Sequence, residues 1–134
     1  MKQKIRFHEL IFMFLLSSLV YSLLEILFRG YTHWTMTLLG GTCGALLYVI
    51  SAWEWGIIAK GAAGAGAITA LELAVGVVVN IVFRWNVWDY SQVPMNFLGQ
   101  ICLPFTLLWF IISMAAMYLC KKVRGIFADS IIIA

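Results

Sequence analysis

Four long apolar blocks fill this chain, at about residues 10–29, 34–54, 61–84 and 95–120, with only short polar segments between them. None alternates as a half-buried strand does. Each is apolar around most of its circumference, the pattern of a helix surrounded by apolar material rather than one with a single buried stripe. Each also reaches the roughly 20 apolar residues needed to cross about 30 Å of hydrocarbon. The first block follows Lys2, Lys4 and Arg6 in the manner of a secretory leader. It is too long for a leader's apolar core and no small-x-small cleavage site follows it, so a retained helix is expected. The fourth exceeds a minimal span by about five residues, which predicts tilt, a kink at Pro104 or an end lying in the interface.

The polar breaks set a direction. Lys2, Lys4, Arg6, Lys60, Lys121, Lys122 and Arg124 fall on one side of this arrangement, and Arg29 and Arg84 on the other. The positive-inside rule then places both termini and the 53–60 loop in the cytoplasm. Trp53, Trp55 and Tyr118 are expected in an inner aromatic belt, and Tyr31, Trp34, Trp85, Trp88 and Tyr90 in an outer one.

Composition removes the alternatives. The chain is 63% apolar and 11% charged, with a mean hydropathy of +0.97. Average soluble domains are about 45–50% apolar and about 25% charged, and a chain this short has too much surface to hide the excess. Disorder is excluded by the same figures. The predicted class is all-α: a polytopic four-helix transmembrane bundle forming one domain over residues 1–134, in contact with the lipid bilayer. The net charge of +3 comes from the chain ends, and without a basic stripe no nucleic-acid partner is expected. Cys43, Cys102 and Cys120 are odd in number and lie in or beside apolar blocks. They read as packing residues, with no metal-ligand spacing and no cofactor implied.

The halves share a pattern. The first carries Glu25, Phe28-Arg29, Trp34 and Leu39-Gly40-x-x-Cys43; the second carries Glu72, Phe83-Arg84, Trp88 and Leu98-Gly99-x-x-Cys102. This predicts two helical hairpins repeated in parallel about an axis along the membrane normal, a symmetry that duplicated transporters use. The pattern breaks at the carboxylates. Counted back from the following arginine at 1.5 Å per residue, Glu25 lies roughly 6 Å deep and Glu72 roughly 18 Å deep.

Glu72 is the leading candidate for chemistry. A carboxylate at the centre of a spanning helix costs about 2.5–3.5 kcal/mol, so it should face protein or water. It either binds a cation or carries a proton, or it is a structural group tying two helices together. Asn80, Asn96 and Gln100 are expected beside it, lining one pathway. Pro104 would leave the Gln100 carbonyl without its helical partner, open either to a polar solute or to satisfying a kinked backbone. At the outer face, Glu25 and Arg29 form an i,i+4 pair, joined there by Arg84, Trp88 and Asp89. His33 reads as a polar loop residue. The Gly/Ala-rich half of the third block, with a ridge through Ala62, Gly66, Ala70 and Ala74, and Gly40-x-x-x-Gly44 in the second, read as packing seams.

Glu72-Leu-x-x-Gly76, Trp88-Asp-Tyr-Ser91, Asn96-x-x-Gly99-x-Ile101-Cys102-Leu103 and Trp109 together resemble the type IV ABC-transporter family of bacterial integral membrane proteins, found largely in Firmicutes. The resemblance covers about the second half of the chain. Glu25, Arg29-Gly30 and Gly40-Gly41 are compatible with it, whereas the Gly-Pro and Pro-Ile-Tyr elements expected after the Arg-Gly step are absent. It implies a permease in the bacterial cytoplasmic (inner) membrane, multipass with N-in/C-in topology. The chain carries no Gly-x-x-x-x-Gly-Lys-Ser/Thr phosphate loop, so an ATPase would be a separate subunit.

The expected function is a small transporter or channel moving a small solute or ion past Glu72, as a homodimer because four helices barely enclose a pathway. The alternative is a non-transporting membrane subunit or scaffold packed against a larger partner. An enzyme is not expected. Glu72 and Glu25, the available acid–base groups, lie at depths that prevent them flanking one bond, which leaves a membrane-embedded enzyme as the weakest alternative.

Overall fold

A computed structural model describes residues 4–133 of the chain; Lys2, one of the basic residues counted above, lies outside them. Helix α1 (Phe7–Arg29) begins with Glu9 in its first turn, where a carboxylate suits the positive end of the helix dipole. It stops at Gly30, whose φ of +82° is a left-handed cap donating its N–H to the Ile26 carbonyl at 2.9 Å. Helix α2 (Trp34–Ser51) is capped by His33, whose Nδ1 accepts from the Thr35 N–H at 3.3 Å. Helix α3 (Ile57–Gly76) passes into a π-helical turn over Val77–Val82. Helix α4 spans Leu103–Ile133. All four are long and apolar enough to cross a membrane, and the chain is a multipass membrane protein.

The fourth helix starts at Leu103 rather than at residue 95. Met95, Leu98 and Gly99 have φ of +57°, +55° and +71°, values a right-handed helix does not admit. Residues 96–102 instead fold into a small antiparallel hairpin, β1 (Asn96–Phe97) with β2 (Ile101–Cys102), pairing Asn96 with Cys102 and Phe97 with Ile101. Pro104 sits in the first turn of α4, where a missing N–H costs nothing, so the expected mid-helix kink is not there. The two Leu-Gly-x-x-Cys steps consequently fall on different backbones. Gly40 and Cys43 are helical, while Gly99 and Cys102 belong to the hairpin.

α1 packs against α2 and α3 against α4, with α2 innermost: 56% of its span is buried against 11% for α1. The α1–α2 contact depends on small residues. A Cβ at Gly40 would collide with Tyr21, at Gly41 with Ser18 and at Gly44 with Ser17. On α3 the seam differs from the expected one. Gly61, Gly64, Ala65, Ile68, Glu72 and Gly76 face the bundle, while Ala62, Gly66, Ala70 and Ala74 are exposed.

Both ends of the bundle are tied. At the end holding the termini, Glu9 and Tyr48 are fully buried, and Tyr48 donates to Glu9 Oε2 at 2.6 Å. Arg6 donates to Glu9 Oε1 at 2.8 Å and to the Phe127 carbonyl at 3.3 Å, joining the start of α1 to the end of α4. At the opposite, loop end, Met36, Leu39, Val79, Val87 and Trp88 form one apolar cluster.

Candidate functional site

Glu72 projects from the buried face of α3 with 5% of its surface exposed. Oε1 accepts from the Trp109 indole N–H of α4. Oε2 accepts from the Tyr90 hydroxyl at 3.3 Å. Among the described residues no basic side chain pairs with it. Both oxygens are therefore met by neutral donors, an arrangement that satisfies hydrogen bonding without neutralising a charge. Burial and the adjacent carboxylate push the Tyr90 hydroxyl above its ordinary pKa, so it remains a donor.

The carboxyl opens on a cavity of about 110 Å³ between α1, α2, α3 and α4. Its walls are Tyr21, Leu39, Gly40, Cys43, Gly44, Leu47, Ile68, Trp109 and Ile112, apolar or aromatic almost throughout. Glu72 is the single ionisable carboxyl in that lining, and two aromatic rings stand beside it.

Tyr90 is brought to Glu72 by the segment following α3, which tucks back into the bundle as a plug. The π-helical turn sets its start: the Phe83 N–H reaches the Val78 carbonyl at 2.9 Å and the Trp85 N–H the Val79 carbonyl at 2.8 Å, the wide-turn bonding found at functional irregularities. Asn80 lies on that turn. Its Oδ1 accepts from the Val87 N–H and its Nδ2 donates to Gln100 Oε1, both at 2.7 Å. The buried Trp88 donates its indole N–H to the Gln100 carbonyl at 3.0 Å, so that carbonyl is not the open ligand expected from sequence. Gly76 makes the space, since a Cβ there would lie 2.6 Å from Gln100 Oε1 and 3.0 Å from the Trp88 ring. Tyr90 itself stacks on Phe105 at 4.8 Å, with its N–H on the Gly99 carbonyl at 2.7 Å.

The predicted pathway residues thus separate. Asn80 and Gln100 meet each other and buttress the plug beside Glu72, whereas Asn96 is exposed on the hairpin. Its amide donates to the Ser91 and Val93 carbonyls and its Oδ1 accepts from the Gly99 N–H. At the loop end, Glu25 accepts from Tyr21 at 2.8 Å and pairs with Arg29 at 3.0 Å. Arg29 also holds the Val87 carbonyl at 2.7 Å and the Tyr31 hydroxyl at 3.0 Å. Tyr21 links the two carboxylates' surroundings, its ring on the Glu72 cavity and its hydroxyl on Glu25. Arg84 is exposed in a left-handed turn, φ +58°. Asp89 closes a turn by accepting from the Ser91 N–H at 2.8 Å, and that bond holds its carboxyl below the usual range. Trp88 and Tyr90 are drawn inward rather than forming an outer belt, while Trp34 and Trp85 are exposed beside His33.

Tyr90, Trp109, Tyr21 and Gly76 were not among the site residues expected from sequence. Two of them stand in the motifs that carried the family resemblance, Trp88-Asp-Tyr90-Ser and Trp109, and Gly76 closes a third. Their fixed spacing was the available signal.

A family model described as "Putative ABC-transporter type IV" matches residues 29–132. That range takes in α2 and α3, the plug and nearly all of α4. No curated protein matches the chain, and no solved structure does.

Proposed function

From the premise that this chain belongs to the ABC-transporter type IV family, we propose that it is a small membrane permease in which Glu72 binds the moving species. The family makes it an ABC-transporter-related membrane protein; the role of Glu72 is our reading. The observation that carries it is a buried carboxyl facing a cavity, with two neutral donors and no cation among the described residues. A purely structural carboxyl in apolar surroundings is usually balanced by a positive partner. Here the site supplies the negative charge and leaves the positive one to the solute.

Apolar walls with Tyr21 and Trp109 beside one carboxylate suit a small organic cation, which rings attract through their faces and the carboxylate through charge. A strongly hydrated ion would find too few oxygens there. Entry requires Trp109 or Tyr90 to release an oxygen of Glu72, and this is the exchange through which binding couples to the plug.

The protein works as a homodimer in this proposal, with both termini and the Lys60 turn cytoplasmic. The exposed ridge of Ala62, Gly66, Ala70 and Ala74 supports the dimer, since small side chains let two helix backbones approach closely in lipid. A separate ATPase subunit would meet the end holding the termini.

The test is flux in proteoliposomes. Wild-type protein should take up methylated or ethylated ammonium ions, and Glu72→Gln should abolish uptake while remaining folded and equally oligomeric. A second reading, a scaffold in which Glu72 only ties α3 to α4 and the plug, is favoured by the bonds from Trp109 and Tyr90. A stoichiometric second polypeptide in mild detergent, with no flux from the isolated chain, would select it.

A further inference from the structure

At the end holding the termini, well away from Glu72, a second cavity of about 160 Å³ lies between the end of α2, the start of α3 and α4. Lys60, Lys121 and Arg124 converge on it from two helices, with Ser51 and Tyr118 beside them, and none of the lining side chains is acidic. Two of the three cations are held in place by neutral oxygens. Lys60 Nζ donates to the Ser51 carbonyl at 2.9 Å, and Arg124 donates to the Ser51 hydroxyl. Arg124 also lies 5.9 Å over the Tyr48 ring. These partners position the charges without neutralising them.

The depth of the cavity is marked by aromatic residues. Trp53 and Trp55, on the turn between α2 and α3, pack ring to ring at 4.8 Å and are exposed, as is Tyr118. Exposed Trp and Tyr gather where hydrocarbon gives way to headgroups. A cleft with three cations at that level, two of them fixed, and with Ile57 and Met117 in its lining fits a group with a compact negative charge, several acceptor oxygens and an apolar attachment.

We propose that this cleft binds a phosphate group, that of an anionic phospholipid of the adjoining leaflet. Lys60 and Arg124 form its fixed walls, and Lys121 closes on the phosphate from α4. The inference stands independently of any role for Glu72.

The test uses the full chain in mild detergent, titrated with phosphatidylglycerol, phosphatidylcholine or inorganic phosphate, with the thermal unfolding midpoint as readout. Phosphatidylglycerol should raise the midpoint saturably and phosphatidylcholine should not. Lys121→Gln, which removes an exposed side chain, should keep the unliganded midpoint and weaken the phosphatidylglycerol response by about fivefold. Lys122→Gln, one position along and outside the cleft, should leave it unchanged. A Lys121-dependent shift produced equally by inorganic phosphate upholds the phosphate site and assigns it to the soluble ion. The absence of any Lys121-dependent shift overturns the proposal, and so does an equal loss in both variants, which would mean diffuse surface attraction.

Discussion

Glu9 and Glu72 are both buried, and their surroundings assign them different work. Glu9 has a cation, Arg6, on one oxygen and the Tyr48 hydroxyl on the other, so its charge is balanced and it locks α1 to α2. Tyr48→Phe removes one donor from a buried carboxylate. It should cost about 1.5–3 kcal/mol, read as a lower unfolding midpoint, and leave flux through the Glu72 cavity unchanged. Glu72 could be found from sequence because an ionisable group in the middle of an apolar block stands alone. Glu9 could not, because an acidic residue three positions from Arg6 near the chain start reads as interface polarity. Its burial comes from the packing of α2 and α4 at that end, where Tyr48 bonds it and Met13, Tyr48 and Cys120 form one buried cluster.

Among the elements, the segment from the π-helical turn to β2 departs furthest from what the apolar pattern implied. Hydropathy carries it into the fourth span because Met95, Phe97, Leu98, Ile101 and Leu103 are apolar. Asn96 and Gln100 decide otherwise. Their amides bond to nearby backbone groups, the competition that makes such side chains poor helix formers. Helix positions elsewhere were legible to within a few residues, since twenty-residue apolar blocks leave little choice of structure, except that α4 runs on past the apolar block at residue 120 to Ile133. The plug was not, because its shape depends on side-chain bonds across the bundle. Gly76→Ala should therefore be disproportionately damaging for a single methyl, costing about 1–3 kcal/mol through overpacking against Gln100 and Trp88. Trp88→Phe keeps an aromatic ring but removes the indole N–H and strands the buried Gln100 carbonyl, for about 1–3 kcal/mol. In both variants the 85–95 segment should become accessible to protease faster than the helices unfold.

Taken whole, the molecule is two helical hairpins joined around α2, with one closed end and one plugged end. Its orientation is a matter of charge, because six of the eight basic residues among the described ones lie at the end holding the termini. With the native cysteines replaced, Asn86→Cys should react with a membrane-impermeant maleimide added outside cells, and Lys122→Cys only after permeabilisation. The reverse pattern would invert the topology. Ala70→Cys should form a disulfide-linked dimer on mild oxidation, whereas a cysteine on the buried face of α3, at Ala65, should not.

In the proposed permease, Glu72 supplies the charge a permeant cation meets. Uptake of tetramethylammonium into proteoliposomes, compared between wild type and Glu72→Gln at matched protein density, tests it most directly. Saturable uptake is expected from the wild type, and background uptake from a Glu72→Gln protein that unfolds at the same temperature. Wild-type uptake by the folded variant, or none by the wild type itself, would contradict it.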